Sequence, residues 1–352
     1  MAAKGVVPGL KPADTLALVV LLSTGADGAA ETAKKTLEAL PIPLLNGALA
    51  DNVDAGVLDV IGPLYARDVA VAEKILLHAA VEPVTVVAMA QVASEPVCEM
   101  IATNEERMLA NPKIIEALYL NKSTRMSTAD RILELAVRNK IVLRAIPAFE
   151  QAAAAIESEL VPEPTEAPTF DDVQFNDAER LASEIRLGND EDTHEINEFT
   201  GQEEVAEVAR PLHAIWAELR PPAKIRLLQV ATLNEVRVDA KAVRMLGVRD
   251  ANPLVAVAAI KSPGIGDGEV MRIASMRNVC EDVLREIANN REWTRHYMVK
   301  LNLVANPRTP FGHSSKWIVH LRESDLKAIA KSKEVPGAVQ TAARQQLQRK
   351  GK

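Results

Sequence analysis

Aromatic residues are scarce in this chain of 352 residues, where Phe, Tyr and Trp together make up 3%. A compact enzyme core or a β-sandwich usually contains more of them, so the composition argues against both classes. Hydrophobic residues nevertheless make up 48% of the chain, and Ala, Leu, Val, Ile and Met supply most of that share. This mixture favours helices packed on helices through small contact residues.

Cysteine is equally scarce, with Cys98 and Cys280 far apart in the sequence. Two such residues provide neither a disulfide framework nor the paired Cys-x-x-Cys spacing of a zinc site. We therefore expect two buried, unreactive thiols and a reducing, cytoplasmic environment.

Long hydrophobic runs are missing as well. The best candidate, residues 16–22, is far shorter than the roughly 20 residues that a membrane-spanning helix needs. Asp14 stands just before this run, where a secretion signal would carry positive charge. We expect a first helix capped by Asp14, and no membrane insertion.

The sequence lacks the motifs of common catalytic and cofactor sites. It has no Gly-x-Ser-x-Gly motif, and the glycine cluster Gly264–Gly268 lacks the lysine and the preceding strand of a phosphate-binding loop. None of the six histidines has a second histidine four residues away, the spacing of a helical metal pair. We expect a turn at the glycine cluster, no catalytic residue, no cofactor and no metal, and hence a protein that is not an enzyme.

Charge is distributed unevenly along the chain. Residues 1–150 have a net charge of −4, residues 151–210 of −14, and residues 211–352 of +11. The middle segment is rich in Pro, Asp and Glu and has too few apolar residues to fold alone, so it predicts a largely disordered acidic linker. A local helix is expected from Asn176 to Leu187. The linker is either a solvated spacer or a segment that folds back onto the basic block and competes with an acidic ligand.

Short helical patterns divided by Pro, Gly and Asn fill the rest of the chain. Pro often stands in the first helical turn, as at Pro83 and at Asn252-Pro253, and no convincing strand pattern occurs. Sequence similarity within the chain links residues 101–106 to 287–292, and residues 118–132 to 303–318 with a one-residue slip. Such a duplication predicts an all-α fold, a HEAT-like α-solenoid in two blocks, residues 1–150 and 211–352, joined by the linker.

The C-terminal block resembles an uncharacterised family of bacterial HEAT-like repeat proteins. The resemblance rests on Asn252-Pro253, on residues 273–279 and 287–293, and on the Asn306–Pro310 core, which is also similar to leucine-rich-repeat-variant units. It implies stacked helix pairs and no particular activity. An iron–sulfur cluster can occur in the second group, but two isolated cysteines cannot supply its four ligands.

One region combines basic and aromatic side chains more densely than the rest of the chain. Basic groups beside aromatic rings suit a peptide or a nucleic acid, although they also occur where tryptophans pack between helices and cations cover a solvated face. The favoured interpretation is a scaffold or adaptor that binds a protein partner, and the alternative is a nucleic-acid-binding protein that uses residues 221–352 and is gated by the acidic linker. The candidate contact residues are Arg291, Trp293, Arg295, Lys300, Arg308, Lys316 and Trp317.

Overall fold

Short helices make up most of the computed structural model, and several of them have proline in the first turn. Helices α6 (Pro83–Val92), α14 (Pro221–Val230) and α16 (Pro253–Ile260) each begin with this residue. Proline costs no hydrogen bond at this position and presets the backbone angle that a helix needs. Asn252 completes the signal for α16, because its side-chain Oδ1 accepts a hydrogen bond of 2.9 Å from the backbone N of Leu254. The predicted all-α class is confirmed.

The structure describes residues 2–5, 7, 9–25, 28–157, 167–184, 194–196, 203–205, 209–231 and 241–350, which divide into two compact units. The first contains the described residues up to Ile146 and also residues 167–169. It opens with a short 3₁₀ helix, Ala2–Lys4, and continues with α1 Pro12–Ser23, α2 Gly28–Glu38, α3 Ile42–Leu49, α4 Ala55–Tyr65, α5 Val69–Leu77, α6 Pro83–Val92, α7 Glu95–Ala102, α8 Glu105–Ala110, α9 Lys113–Leu120 and α10 Met126–Arg138.

The second unit contains the remaining helices and one very small sheet. Its strands β1 (His194–Ile196) and β2 (Glu203–Val205) pair antiparallel, an exception to the helical pattern that the sequence did not predict. The helices are α11 Phe149–Glu157, α12 Phe170–Glu184, α13 Ala209–Glu218, α14 Pro221–Val230, α15 Lys241–Val248, α16 Pro253–Ile260, α17 Asp267–Ser275, α18 Glu281–Asn289, α19 Tyr297–Ala305, α20 Phe311–Ile318, α21 Glu323–Lys331 and α22 Gly337–Lys350, with a 3₁₀ helix at Trp293–Arg295.

Each helix packs mainly against helices that are close to it in the sequence. In the first unit α4 packs on α6, α6 on α9, and α5 on α7; in the second, α14 packs on α16, α16 on α18, and α17 on α19. Apart from α11, which packs on α14 and α16, the main helix–helix contacts join elements no more than three positions apart. Contacts of this short sequence range are typical of stacked helical repeats.

The division into units differs from the predicted blocks of residues 1–150, 151–210 and 211–352. Helices α11 and α12 fall in or overlap the predicted linker, yet both belong to the second unit. Their buried side chains include Ala155, Phe175 and Ala178. The high acidic content misled the prediction here, because these helices bury a narrow apolar stripe while their charged faces remain outside. Residues 158–166, 185–193 and 197–202 of the predicted linker lie outside the described residues.

Helix α12 also begins earlier than the expected helix, at Phe170 instead of Asn176. Its acidic face is attached to the basic block: Asp171 Oδ2 pairs with Arg220 Nε at 2.6 Å. The guanidinium of Arg226 lies 4.6 Å from the centre of the Phe175 ring, a cation–π distance. Helix α12 therefore lies on α13 and α14.

Three smaller expectations have mixed outcomes. Helix α1 is not capped by Asp14; Lys11 holds the cap position and Pro12 opens the helix, which places Asp14 inside the first turn. Cys98 is buried as predicted, whereas Cys280 is partly exposed because it precedes α18; neither forms a disulfide. The glycine cluster begins in a turn, with Gly264 at φ 72°, and ends inside α17, which contains Gly268.

In the part of the chain that the structure describes, no helix combines the length and the apolar character that crossing a membrane requires.

In each of the two similar stretches, residues 118–132 and 303–318, one asparagine joins the ends of two helices. Asn121, just after α9, donates from Nδ2 to the carbonyls of Ala90 (2.9 Å) and Ala93 (3.0 Å) at the end of α6. Asn306, just after α19, donates to Ala274 (2.9 Å) and Met276 (2.7 Å) at the end of α17. The side chain supplies the donors that the last carbonyls of a helix lack.

The side-chain oxygen of each asparagine shapes the turn that follows. Oδ1 of Asn121 accepts from the backbone N of Ser123 at 2.9 Å, and Oδ1 of Asn306 accepts from that of Arg308 at 3.0 Å. The two asparagines, which stand at aligned positions, therefore make matching hydrogen bonds to an earlier helix and to the following turn. In each stretch this one residue follows the end of a helix, begins a turn and binds the end of an earlier helix.

Gly247 allows α15 to approach its neighbours closely. A Cβ atom there would lie 2.8 Å from the Cβ of Ala259 and 3.1 Å from a methyl group of Leu228. We expect Gly247→Ala to destabilise the second unit by about 1–3 kcal/mol, because the overpacked helices must shift. Gly268→Ala is the matched control: it adds the same methyl group where nothing lies within 4 Å. Urea denaturation followed by circular dichroism compares them, and equal stability of the two variants would contradict the expected clash.

Candidate functional site

Five of the seven candidate residues lie on three successive elements of the second unit. Trp293 and Arg295 belong to the 3₁₀ helix, Lys300 to α19, and Lys316 and Trp317 to α20. A turn at Asn290 starts the region, since its Oδ1 accepts from the backbone N of Glu292 at 2.9 Å and of Trp293 at 3.3 Å. The turn ends α18 and directs the chain into the 3₁₀ helix.

Two lysines converge on one tryptophan. Nζ of Lys300 lies 5.4 Å, and Nζ of Lys316 lies 4.9 Å, from the centroid of the Trp317 ring. Distances below about 6 Å allow a cation–π attraction, which offsets part of the repulsion between the two ammonium groups. The ring centroid of His320 lies 5.8 Å from that of Trp317. The structure thus brings three of the seven candidates together.

Trp317 also contributes to helix packing, which agrees with the alternative that the tryptophans of this region pack between helices. The half-buried ring packs against an apolar cluster that includes Val304, Ile318 and Leu326. Its Nε1 is buried and has no hydrogen-bond acceptor among the described residues. The tryptophan consequently anchors α20, and the lysines extend across it toward solvent.

Trp293 belongs to a different feature, an open groove of about 420 Å³. Ile260 and Ile265 provide apolar wall, while Lys261 and Glu286 on the rim face each other at 3.7 Å. None of the other six candidates lines this groove. Trp293 is close to the other candidates in the sequence but lies apart from them in the structure, which the sequence did not predict.

Arg291 and Arg308 are exposed on turns, and Arg295 is exposed at the end of the 3₁₀ helix. Arg295 Nη1 pairs with Glu292 at 3.0 Å, whereas Arg291, Arg308, Lys300 and Lys316 form no ion pair with any described residue. From Arg291 to Arg322 the chain holds six Lys and Arg residues and one acidic residue, a net charge of +5. The region is therefore strongly basic, and most of its charge has no neutralising partner in the described structure.

Tyr297 fixes the start of α19. Its hydroxyl donates to Asp325 and accepts from the backbone N of Arg322 at 2.9 Å, and the guanidinium of Arg322 lies 4.7 Å from the ring centre. Desolvation, followed by the hydrogen bond to Asp325, raises the pKa of Tyr297. The hydroxyl therefore remains protonated at neutral pH and serves as a structural link between α19 and α21.

Sequence reasoning missed two exposed apolar residues of α20. Phe311 is 49% exposed and Val319, which follows the last helical residue, is 53% exposed. Val319 lies about 100° around the helix axis from the buried Ile318, whereas Phe311 is on nearly the same side as Ile318 and is exposed at the first position of the helix. The periodicity could therefore have indicated Val319 but not Phe311.

A buried ion pair lies elsewhere in the same unit. Arg244 on α15 donates from Nε to Oε1 of Glu269 (3.0 Å) and from Nη2 to Oε2 (2.9 Å). Nearby, burial lowers the pKa of Lys241. Glu269 also accepts from the backbone N of Gly266 at 3.1 Å, so the pair connects α15 to the start of α17. These contacts give Arg244 and Glu269 a structural role.

The described residues contain no group of three or more His, Cys, Asp and Glu side chains placed to hold a metal ion. Comparisons of the chain with protein-family models, with curated proteins and with solved structures find no match.

Proposed function

We propose that this protein is a non-enzymatic scaffold or adaptor that binds a partner protein through a surface of stacked short helices. The observation that carries the proposal is the short sequence range of its helix–helix contacts. Such contacts are typical of helical-repeat proteins, in which each added helix extends a surface suited to holding an extended partner. A HEAT-like α-solenoid architecture, as in the bacterial family that the sequence resembles, belongs to this proposal, and so does a cytoplasmic location.

The asparagine pairs support the repeat interpretation. Asn121 and Asn306 stand at aligned positions and fasten equivalent helices through equivalent hydrogen bonds. A duplicated helical module explains both the sequence similarity and the repeated geometry.

Site-specific photocrosslinking tests the scaffold function. A photoreactive amino acid replaces Phe311 in the full chain, and Leu77, which is 78% exposed in the first unit, is the control position. After irradiation in an extract of the source organism, we expect a defined protein to crosslink at position 311 and not at 77. The purified partner must then bind the unmodified chain with fixed stoichiometry. Failure of every crosslinked protein to bind when purified would contradict the proposal.

The second candidate function, nucleic-acid binding by residues 221–352, has its own supporting observation. The stretch from Arg291 to Arg322 has a net charge of +5, and the acidic helix α12 already lies on the basic block through Asp171 and Arg220. In this version the acidic segment gates access to the basic surface. Binding to any duplex that weakens steeply with salt would favour it.

A further inference from the structure

The groove beside Trp293 has the size and the apolar walls of a binding site. Its volume of about 420 Å³ lies within the range of about 300–1,000 Å³ that is usual for ligand pockets in proteins. Pro147, Ile260 and Ile265 supply apolar surface, and Trp293 adds a half-buried aromatic side chain. All four residues belong to the second unit, so one compact body forms the groove.

The charged groups that line the groove neutralise each other. Nζ of Lys261 lies 3.7 Å from Oε1 of Glu286, and no other lining residue among those described is charged. A phosphate or a carboxylate in the groove would meet an anion as well as a cation, and no unpaired cation would offset its loss of solvation. Electrostatic complementarity therefore favours an uncharged ligand.

Two uncharged polar groups of the groove are available only as hydrogen-bond donors. Oδ1 of Asn290 already accepts from the backbone N of Glu292 and of Trp293, so Nδ2 is the part of this amide that can still bond. No described residue accepts a hydrogen bond from Nε1 of Trp293. An indole N–H beside apolar surface is a common donor at protein interfaces. The groove therefore suits a neutral ligand that presents carbonyl oxygens.

We propose that the groove binds a proline-rich segment of the partner protein in the polyproline II conformation. Such a segment has no internal hydrogen bonds, so its carbonyls are free to accept, and its prolines have no N–H that needs an acceptor. The carbonyls accept from Trp293 and Asn290, and a proline ring packs on the indole, as in other aromatic-lined grooves that bind proline-rich peptides. The proposal rests on the scaffold function and specifies the chemistry of the partner.

Fluorescence anisotropy with the full chain tests the proposal. The probe is a labelled peptide in which Ala-Pro-Pro is repeated; a second peptide has Ser in place of every Pro, and a third probe is single-stranded oligothymidine. We expect the proline-rich peptide to bind at least about tenfold more tightly than either of the others. Equal binding of the two peptides would overturn the proposal, and tighter binding of the DNA would replace it with the nucleic-acid function.

The salt dependence of binding gives a second test. Recognition of neutral carbonyls involves no release of counterions, so affinity for the proline-rich peptide should change less than about twofold between roughly 0.05 M and 0.5 M sodium chloride. A loss of about tenfold or more over this range would show that the binding is electrostatic and would overturn the proposal.

Matched tryptophan variants locate the binding site. Trp293→Phe keeps an aromatic ring but removes the indole N–H, and we expect it to weaken binding of the proline-rich peptide about five- to tenfold. Trp317→Phe makes the same change in the same unit, at a residue that does not line the groove and whose Nε1 is buried without an acceptor among the described residues. It should change affinity less than about twofold, and equal losses in the two variants would overturn the proposal.

Asn290→Asp tests the second donor. The variant keeps the oxygen that accepts from the backbone, so the turn is retained, but an anionic oxygen replaces the amide nitrogen and repels a peptide carbonyl. We expect about tenfold weaker binding of the proline-rich peptide. Asn139→Asp adds the same charge at an exposed position of the first unit and should change affinity less than about twofold. Unchanged affinity of the Asn290 variant would overturn the proposed hydrogen bond.

These tests fail separately from that of the scaffold function. If the partner found by crosslinking binds while the proline-rich peptide does not, this inference fails and the scaffold function stands. If the proline-rich peptide binds but no crosslinked protein binds when purified, the scaffold function fails.

Discussion

Glu269→Ala is expected to destabilise the second unit by about 3–5 kcal/mol, the largest effect of any single substitution considered for this protein. The side chains of Arg244 and Glu269 are 6% and 10% exposed and share two parallel hydrogen bonds. Removing the carboxylate leaves a guanidinium inside the protein with no counter-charge, and it also removes the acceptor for the backbone N of Gly266.

Urea denaturation followed by circular dichroism measures the loss of stability, and two further variants serve as comparisons. Arg244→Met combined with Glu269→Leu removes both charges and is expected to recover most of the lost stability, because buried ion pairs gain little over well-packed apolar groups. Glu281→Ala breaks the exposed pair with Arg285 and is expected to cost less than about 1 kcal/mol. A Glu269→Ala variant no less stable than Glu281→Ala would contradict the burial argument.

Asn306→Asp is expected to destabilise the second unit by about 3–4 kcal/mol at neutral pH. The side chain keeps its shape, but an anionic oxygen replaces the amide nitrogen that donates to Ala274 and Met276. Both carbonyls stand at the end of α17, where the helix dipole is negative, so the new charge meets repulsion where the amide made two hydrogen bonds.

The pH dependence of this variant gives a specific signature. Repulsion by the carbonyls favours the protonated carboxyl group, so the introduced aspartate has a higher pKa in the folded state than in the unfolded state. Because the folded pKa is raised, the variant is most stable at pH values below the pKa of the unfolded state, and it loses stability as the pH rises. Its stability should therefore be closest to that of the parent protein near pH 4. Denaturation at two pH values checks this, and Asn121→Asp should behave alike in the first unit.

Asn139→Asp is the control for the aspartate variants. Asn139 is exposed and donates a single hydrogen bond to the carbonyl of Leu135, at 2.8 Å. Water solvates the new charge there, so the cost should remain below about 1 kcal/mol. Equal losses at Asn139 and Asn306 would show that burial between two carbonyls is not the cause.

The helices with strong local signals could be predicted closely from the sequence. The starts of α16 and α17 follow from Asn252-Pro253 and from the glycine turn, both of which are evident in the sequence. Helices α8 and α11 have weaker sequence signals, for different reasons. The first has six residues and is set by one cap, Asn104, whose Oδ1 accepts from Arg107; the second was hidden beside an acidic stretch.

The candidate site could be predicted only in part. The sequence singled out Lys316 and Trp317 as neighbours, but the approach of Lys300 depends on how α19 packs against α20. That packing also separates Trp293, which faces a groove beside Ile260. Composition identifies which side chains are abundant in a region, whereas tertiary packing decides which of them meet.

The asparagine at the end of α19 has a further property that concerns the lifetime of the protein. Asparagine deamidates when the backbone nitrogen of the next residue attacks the side-chain amide, and the product is the same aspartate that disrupts the helix contact. Pro307 has no N–H, so this route is closed at Asn306. Lys122 has a backbone N–H and leaves the route open after Asn121, where hydrogen bonds that include those to Ala90 and Ala93 hold the amide in place. The helix contact of Asn306 is thus protected from deamidation by the covalent structure, whereas that of Asn121 depends on the folded state.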